Sequence, residues 1–231
     1  METGVGTCRE ALQRAVASAD IFALFSTAFS WPDDGLAQAV LDGSFDGDLQ
    51  ACLDELGCPL GTATGVQDVL EPGMAPEALL AALRREYSRL FLMPGTSALI
   101  FPYEAAFRHV AAGRPGIPAL FIAPATKDVE RRMRAFGALP ATARREPVDS
   151  VSCELDFVHL LYTNLANALN QGNEGSAANL AHEIGEFRSK HVDAWIPDLM
   201  RSVIAETKSL FYKRLAEIAL LALTLTSKGD E

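Results

Sequence analysis

Apolar residues recur with a helical period along most of this chain, and that pattern constrains its fold more than any other feature. From Val151, apolar side chains fall at Leu155, Val158, Tyr162, Leu165 and Leu169, offsets 0, 4, 7, 11, 14 and 18, which is one face of a 3.6-period helix. Gly172 is placed to end it. Ile204, Phe211, Leu215, Ile218, Ala222 and Leu225 carry the same period as one run. Ala177, Leu180, Ile184, Phe187 and His191 predict a helix that stops before Trp195-Ile196-Pro197. The N-terminal half reads likewise: Leu12 to Phe29 is a broad apolar helix stopped at Trp31-Pro32. Ala75-Pro76-Glu77 opens another, striped by Leu79, Leu80, Leu83, Tyr87, Leu90 and Phe91 and closed by Pro94-Gly95. Thr126 is expected to cap a helix through Phe136, with Asp128 and Glu130 in its first turn.

Strand signals are weak: the best short apolar run, Ala119 to Ile122, is bracketed by Pro118 and Pro124. Segments 57–73, 94–102, 113–118 and 137–147 are rich in Gly or Pro and read as loops. The expectation is an all-α fold, one globular domain over 1–231 built from roughly eight to eleven helices.

Charge narrows the function. The chain carries a net −10, and its first 75 residues hold 12 acids against only Arg9 and Arg14. Residues 76–231 hold 18 of each sign, so the whole excess lies in the first third. A pI near 4.9 argues against nucleic acid as a partner. The N-terminus is unlike a signal peptide, and the apolar run Leu215 to Leu225 is too short to span a bilayer. No membrane insertion is therefore expected, and the cytoplasm is the expected compartment. Cys8, Cys52, Cys58 and Cys153 form no Cys-x-x-Cys pair and read as reduced thiols.

No constellation for catalysis emerges. There is no P-loop, no Gly-x-Gly-x-x-Gly and no Gly-x-Ser-x-Gly. A di-iron bundle needs two Glu-x-x-His motifs, and this chain has only Asp156-x-x-His159. His109, His159, His182 and His191 are too scattered to suggest a metal cage, so neither a metal nor another cofactor is expected. Asp149 and Ser150 precede the longest periodic run, where either side chain suits a helix cap, and Glu154 lies in the first turn beyond. Trp195 and Phe211-Tyr212 read as core packing.

Four ordered segments carry more information. They are Glu86-Tyr87-Ser88-Arg89-Leu90-Phe91 with Pro94-Gly95; Pro102-Tyr103-Glu104; Glu146-Pro147-Val148-Asp149-Ser150-Val151-Ser152-Cys153-Glu154; and Phe187 with His191 through Pro197, followed by Phe211-Tyr212. In this order and spacing the chain resembles the TorD/DmsD/NarJ family of redox-enzyme maturation chaperones, over about residues 80 to 220. The resemblance implies an all-helical, cytoplasmic, non-catalytic chaperone. Its implied partners are the leader peptide and the apo form of a molybdopterin oxidoreductase, held until the cofactor is inserted and export can begin.

A receptor for a twin-arginine leader needs an apolar groove and carboxylates placed for guanidinium forks. The resemblance assigns Tyr87, Leu90, Phe91 and Tyr103 to the groove, Glu104, Asp149 and Glu154 to the anions, and Pro102 and Pro147 to shaping the loops. Ser150 stands where the family often has His after the Asp, which keeps a capping hydroxyl but loses the imidazole. Residues 137–150 match a segment that serves as a hinge in domain-swapped relatives, so monomer and swapped dimer both stay open. Two alternatives also stand. One is a chaperone for a non-exported subunit of nitrate-reductase type. The other is a helical nucleotide-binding regulator, for which the chain offers no phosphate loop.

Overall fold

A computed structural model describes residues 2–58, 65–92, 100–143 and 146–227, with side chains from residue 9 onward. Pro94-Gly95 and part of the 137–150 segment lie outside the described residues, as does the Cys8 side chain. Ten α-helices are present: α1 Glu2–Ala28, α2 Asp34–Leu41, α3 Ser44–Glu55, α4 Pro76–Tyr87, α5 Glu104–Ala111, α6 Pro124–Ala135, α7 Val151–Asn170, α8 Glu174–Phe187, α9 Ile196–Glu206 and α10 Leu210–Ser227. Among the described residues there is no β-strand, only a single antiparallel bridge between Tyr103 and Ser150. The all-α expectation holds.

The apolar stripes do the assembling. α1 lies along α7, α8 folds back on α7, and α9 and α10 pair beside them. One apolar cluster takes in α1–α4 and α6–α10, and Phe107 of α5 packs against it. Trp195, Phe211 and Tyr212 are buried in that cluster, as their periodic positions imply. Gly172 follows α7 with φ +65°, a left-handed conformation that glycine takes at no steric cost.

Two polar residues brace this core. Arg188 is buried; its guanidinium donates to the Tyr162 hydroxyl (3.2 Å) and the Leu223 carbonyl (3.1 Å) and lies 5.6 Å from the Phe22 ring centroid. A single side chain thereby ties α8 to α7, α10 and α1. It starts a π-helical turn, Arg188–Val192, that extends α8; a matching turn, Ser88–Leu92, extends α4. Such widened turns rotate the residues beyond them relative to a straight helix.

Three expectations are corrected. The run from Ile204 to Leu225 is not one helix, because Thr207–Ser209 break it into α9 and α10. The break is fixed by Glu86, whose carboxylate accepts from the Thr207 hydroxyl (2.7 Å), the Lys208 N–H (2.6 Å) and Arg89 (2.7 Å). Thr126 does not cap α6: Pro124 starts the helix, and the Thr126 hydroxyl lies inside it, 2.9 Å from both the Leu120 carbonyl and Asp149 Oδ2. α6 therefore has no acid in its first turn.

Burial alone would raise the Glu86 carboxyl, but the bonds from Arg89, Thr207 and Lys208 outweigh it and hold the group at about 2. The folded value lies below the ordinary 4.5, so this stabilisation is present above pH 4.5 and lost as pH falls toward 2. Glu86→Gln is expected to lower the urea midpoint at pH 7 and to shrink the midpoint difference between about pH 5 and pH 3, read by circular dichroism.

Candidate functional site

The second, third and fourth sequence segments meet at one place. Pro102–Glu104 runs antiparallel to Asp149–Val151: the Glu104 N–H donates to the Asp149 carbonyl (2.8 Å) and the Val151 N–H to the Pro102 carbonyl (2.9 Å). Both strips then turn into helices, α5 and α7. Ser150 caps α7, its Oγ accepting from the Cys153 N–H at 3.2 Å. Asp149 serves a different helix, its Oδ2 accepting from the Ala105 N–H in the first turn of α5 (2.9 Å). Pro102 and Pro147 are both buried at this crossing.

Behind the crossing lies a closed polar cluster. Glu104, Asp149 and Glu154 are each 0% exposed. Glu104 is paired with Arg108 through one oxygen and lies 2.8 Å from His191 Nδ1 through the other. The second ring nitrogen of His191 faces Asp128 Oδ2 at 3.0 Å. Glu154 accepts from the Trp195 indole N–H at 2.8 Å. Burial, with Glu104 close by, pushes the Glu154 carboxyl well above its ordinary range, against the opposing pull of the Trp195 bond. Burial likewise raises Asp149, opposed by its bonds from Ala105 and Thr126. Asp128 goes the other way: burial would raise it, but bonds from Arg131, His191 and Arg132 hold it well below the usual carboxylate range.

The three carboxylates expected to face arginines are thus buried in this conformation. Partners within the fold engage both Glu104 oxygens and one oxygen each of Asp149 and Glu154. Glu104, Glu154 and His191 place a ligand atom each within 4.8 Å of one another, a spacing a cation would need. Both oxygens of Glu104 and both nitrogens of His191 are already engaged by side chains, whereas Asp149 Oδ1 and Glu154 Oε1 accept no hydrogen bond among the described residues.

In front of the crossing lies an open groove of about 380 Å³, lined by Trp31, Tyr87, Leu92, Pro102, Tyr103 and Glu146, with Ser150 and Ser152 at one side. Tyr87 is 9% exposed and stands edge-on to Trp31 (5.6 Å) and to Phe91 (4.9 Å). Trp31 and Leu92 are about half exposed at the mouth, at 48% and 49%. Leu90 and Phe91 lie deeper, in the core, so they support the groove wall instead of facing it. Glu146 is exposed and forms no ion pair among the described residues. Its charge is near enough, after burial, to help raise the Tyr103 and Tyr87 phenols.

Of the ten expected site residues, Tyr87, Pro102, Tyr103 and Ser150 share this groove. Glu104, Asp149 and Glu154 share the buried cluster with His191, Trp195, Thr126 and Asp128. Trp31 was missed because it reads as a helix stop. Glu154 stood on the buried stripe, three residues after Val151, so periodicity alone marked it as inward-facing.

The fold is all-helical and its groove mixes aromatic and aliphatic side chains with Glu146 and serines; comparison with known proteins gives the family. The model of the nitrate reductase delta subunit family matches residues 54–201. The perchlorate reductase assembly chaperone of Dechloromonas aromatica (strain RCB) is 21% identical over 210 residues, covering 91% of this chain and 88% of that protein. No solved structure matches significantly. The chain belongs to the nitrate reductase delta subunit family, chaperones of molybdoenzyme maturation, and is not an enzyme. Among the described residues no helix is long and apolar enough to cross a membrane.

The raised Glu154 carboxyl fixes a sign for pH. Its folded value lies above the ordinary 4.5, so the native state holds the extra proton, and stability falls as pH rises from 4.5 through the folded value. Glu154→Gln keeps an acceptor for Trp195 and replaces the acid proton with an amide N–H. It is expected to flatten the decline in urea midpoint between about pH 5 and pH 8. A decline as steep as in the unsubstituted protein would count against a protonated Glu154.

Proposed function

We propose that this chaperone holds the N-terminal segment of the catalytic subunit of a molybdopterin oxidoreductase in the groove between Trp31, Tyr87 and Tyr103. The apoenzyme is thereby kept from folding to completion, or from export, until its cofactor is inserted. The observation that carries this reading is the groove itself. Four separate stretches (Phe29 to Trp31, Tyr87 with Leu92, Pro102 with Tyr103, and Glu146 to Ser152) converge on a concave surface with half-exposed aromatic and aliphatic side chains at its mouth. Exposed apolar groups of this size, rimmed by polar ones, suit an apolar peptide segment.

One feature of the groove bears on the leader type. A twin-arginine pair is best held by two bidentate carboxylates, whereas Glu146 is the one exposed carboxylate among the lining residues, with Glu104, Asp149 and Glu154 enclosed behind. That supports recognition mainly through the apolar side of the segment, with Glu146 reading a single cation. An N-terminal segment without an arginine pair, as in a subunit that is never exported, fits this arrangement at least as well. A twin-arginine leader is the second reading.

Isothermal titration with the first 25 or so residues of the catalytic subunit of a molybdopterin oxidoreductase from the same organism tests both. Binding in the micromolar range is expected, weakened about tenfold or more by Trp31→Ala and by Tyr103→Ala, and less by Glu146→Gln. Replacing any arginine pair of the peptide by lysines changes affinity little if the apolar reading holds, because Lys keeps the charge but not the fork. A loss of tenfold or more on that change supports the twin-arginine reading. No binding of the peptide overturns the groove assignment.

A further inference from the structure

The acidic first third holds a second concavity, distinct from the groove above. α1, α2 and α3 enclose an open trough of about 510 Å³, the larger of the two. Its floor is apolar and buried: Leu36, Phe45 and Cys52. Its walls are alanines, Ala23, Ala39 and Ala51, whose small side chains let a helix backbone approach closely. Two rims carry one carboxylate each, Asp20 from α1 and Asp48 from α3, and no basic residue lines the trough.

Charge selects the occupant. Asp20 and Asp48 form no ion pair among the described residues. Of the two bases in the first 75 residues, Arg14 is turned to the far side of α1, where it donates to the Leu225 carbonyl. The field reaches the floor: burial, with Asp20 and Asp48 adding to it, pushes the Cys52 thiol up to about 11. A second copy of the chain would bring one acid-rich face against another, which like-charge repulsion disfavours. A helix with an apolar stripe and arginines or lysines on either side satisfies the floor, the walls and both rims together.

We propose that the α1–α3 trough is a docking site for a basic amphipathic helix of the client enzyme, separate from the groove that holds its N-terminal segment. This rests on the assembly-chaperone reading for the identity of the client. The residues that line the trough, 20 to 52, lie outside the span 54–201 matched by the family model. Two contacts on one client, one apolar and one electrostatically guided, raise the effective concentration of each segment at its site. The excess negative charge then accelerates encounter, an effect that salt suppresses.

The test uses the full chain and two fluorescein-labelled helical peptides of about 18 residues. Both carry leucines at i, i+4, i+7 and i+11; one is flanked by arginines and the other by glutamates. Anisotropy is expected to show micromolar binding of the arginine peptide, weakening about tenfold between roughly 50 and 300 mM salt, and none of the glutamate peptide. Ala51→Trp, at an exposed wall position, fills the trough, and Asp20→Asn with Asp48→Asn removes the rim charge; each is expected to cost about tenfold or more. Trp31→Ala should leave this binding unchanged while weakening the client's N-terminal peptide. Failure of the arginine peptide to bind, equal binding of the glutamate peptide, or insensitivity to both trough variants overturns the proposal. So does a change in oligomeric mass by light scattering in Ala51→Trp, which would make the occupant a second copy. Loss of the N-terminal peptide in Ala51→Trp but not in Trp31→Ala would merge the two sites and overturn their separation. Because each peptide has its own variant, failure of one site is read without the other.

Discussion

The buried carboxyl cluster around Glu104, Asp149 and Glu154 is the constraint on which the groove depends. Carboxylates are rarely buried without partners, since desolvation of an unpaired charge costs several kcal/mol. Here the partners come from separate elements: Ala105 and Arg108 from α5, Thr126 from α6, His191 from the π turn after α8, itself held by Asp128 of α6, and Trp195 at the start of α9. Each bond is also a positional restraint. Together they fix the crossing of Pro102–Glu104 with Asp149–Val151, and that crossing forms one wall of the open groove.

This arrangement separates rigidity from recognition. The acids that look suited to gripping arginines hold the wall in place, and the proposed binding is left to exposed Trp31, Leu92 and Glu146 with half-buried Tyr103. A chaperone gains from such a division. It must hold its client firmly enough to delay folding and loosely enough to release it, and apolar contacts tolerate variation in sequence better than buried ion pairs do. A half-satisfied polar cluster open to solvent would instead change its protonation with each binding event.

Much of the fold was legible because it depends on periodicity, and periodicity survives without knowledge of neighbours. The stripe from Val151 to Leu169 needed only the fact that apolar side chains avoid water, and α7 follows it closely. The split between α9 and α10 was not legible, because the apolar period continues across Thr207–Ser209 and the break is imposed by Glu86, more than a hundred residues away in sequence. The site was half legible for a related reason. The ordered motifs marked which segments matter, and they do meet, but charge was taken to mean exposure. Glu154 and His191 both stood on apolar stripes, a local signal that they point inward. Asp149 gave no such signal, since its partners Ala105 and Thr126 lie on other helices.

The acidic excess shows how far a net charge can be read. A value of −10 argues against nucleic acid as a partner but says nothing about geometry until the acids are placed. Several are structural: Asp33 caps α2, and Asp46 accepts the Val66 and Gln67 N–H groups at 2.9 and 2.7 Å. Those carboxylates are committed to backbone N–H groups that hold the start of α2 and the 65–67 turn. Among the described residues Asp20 and Asp48 accept no such bond, and they stand on separate rims of an apolar-floored trough. Within one acidic segment, therefore, hydrogen bonding separates the carboxylates that hold helix and loop ends from those that, in the proposed docking, are left to meet a basic partner.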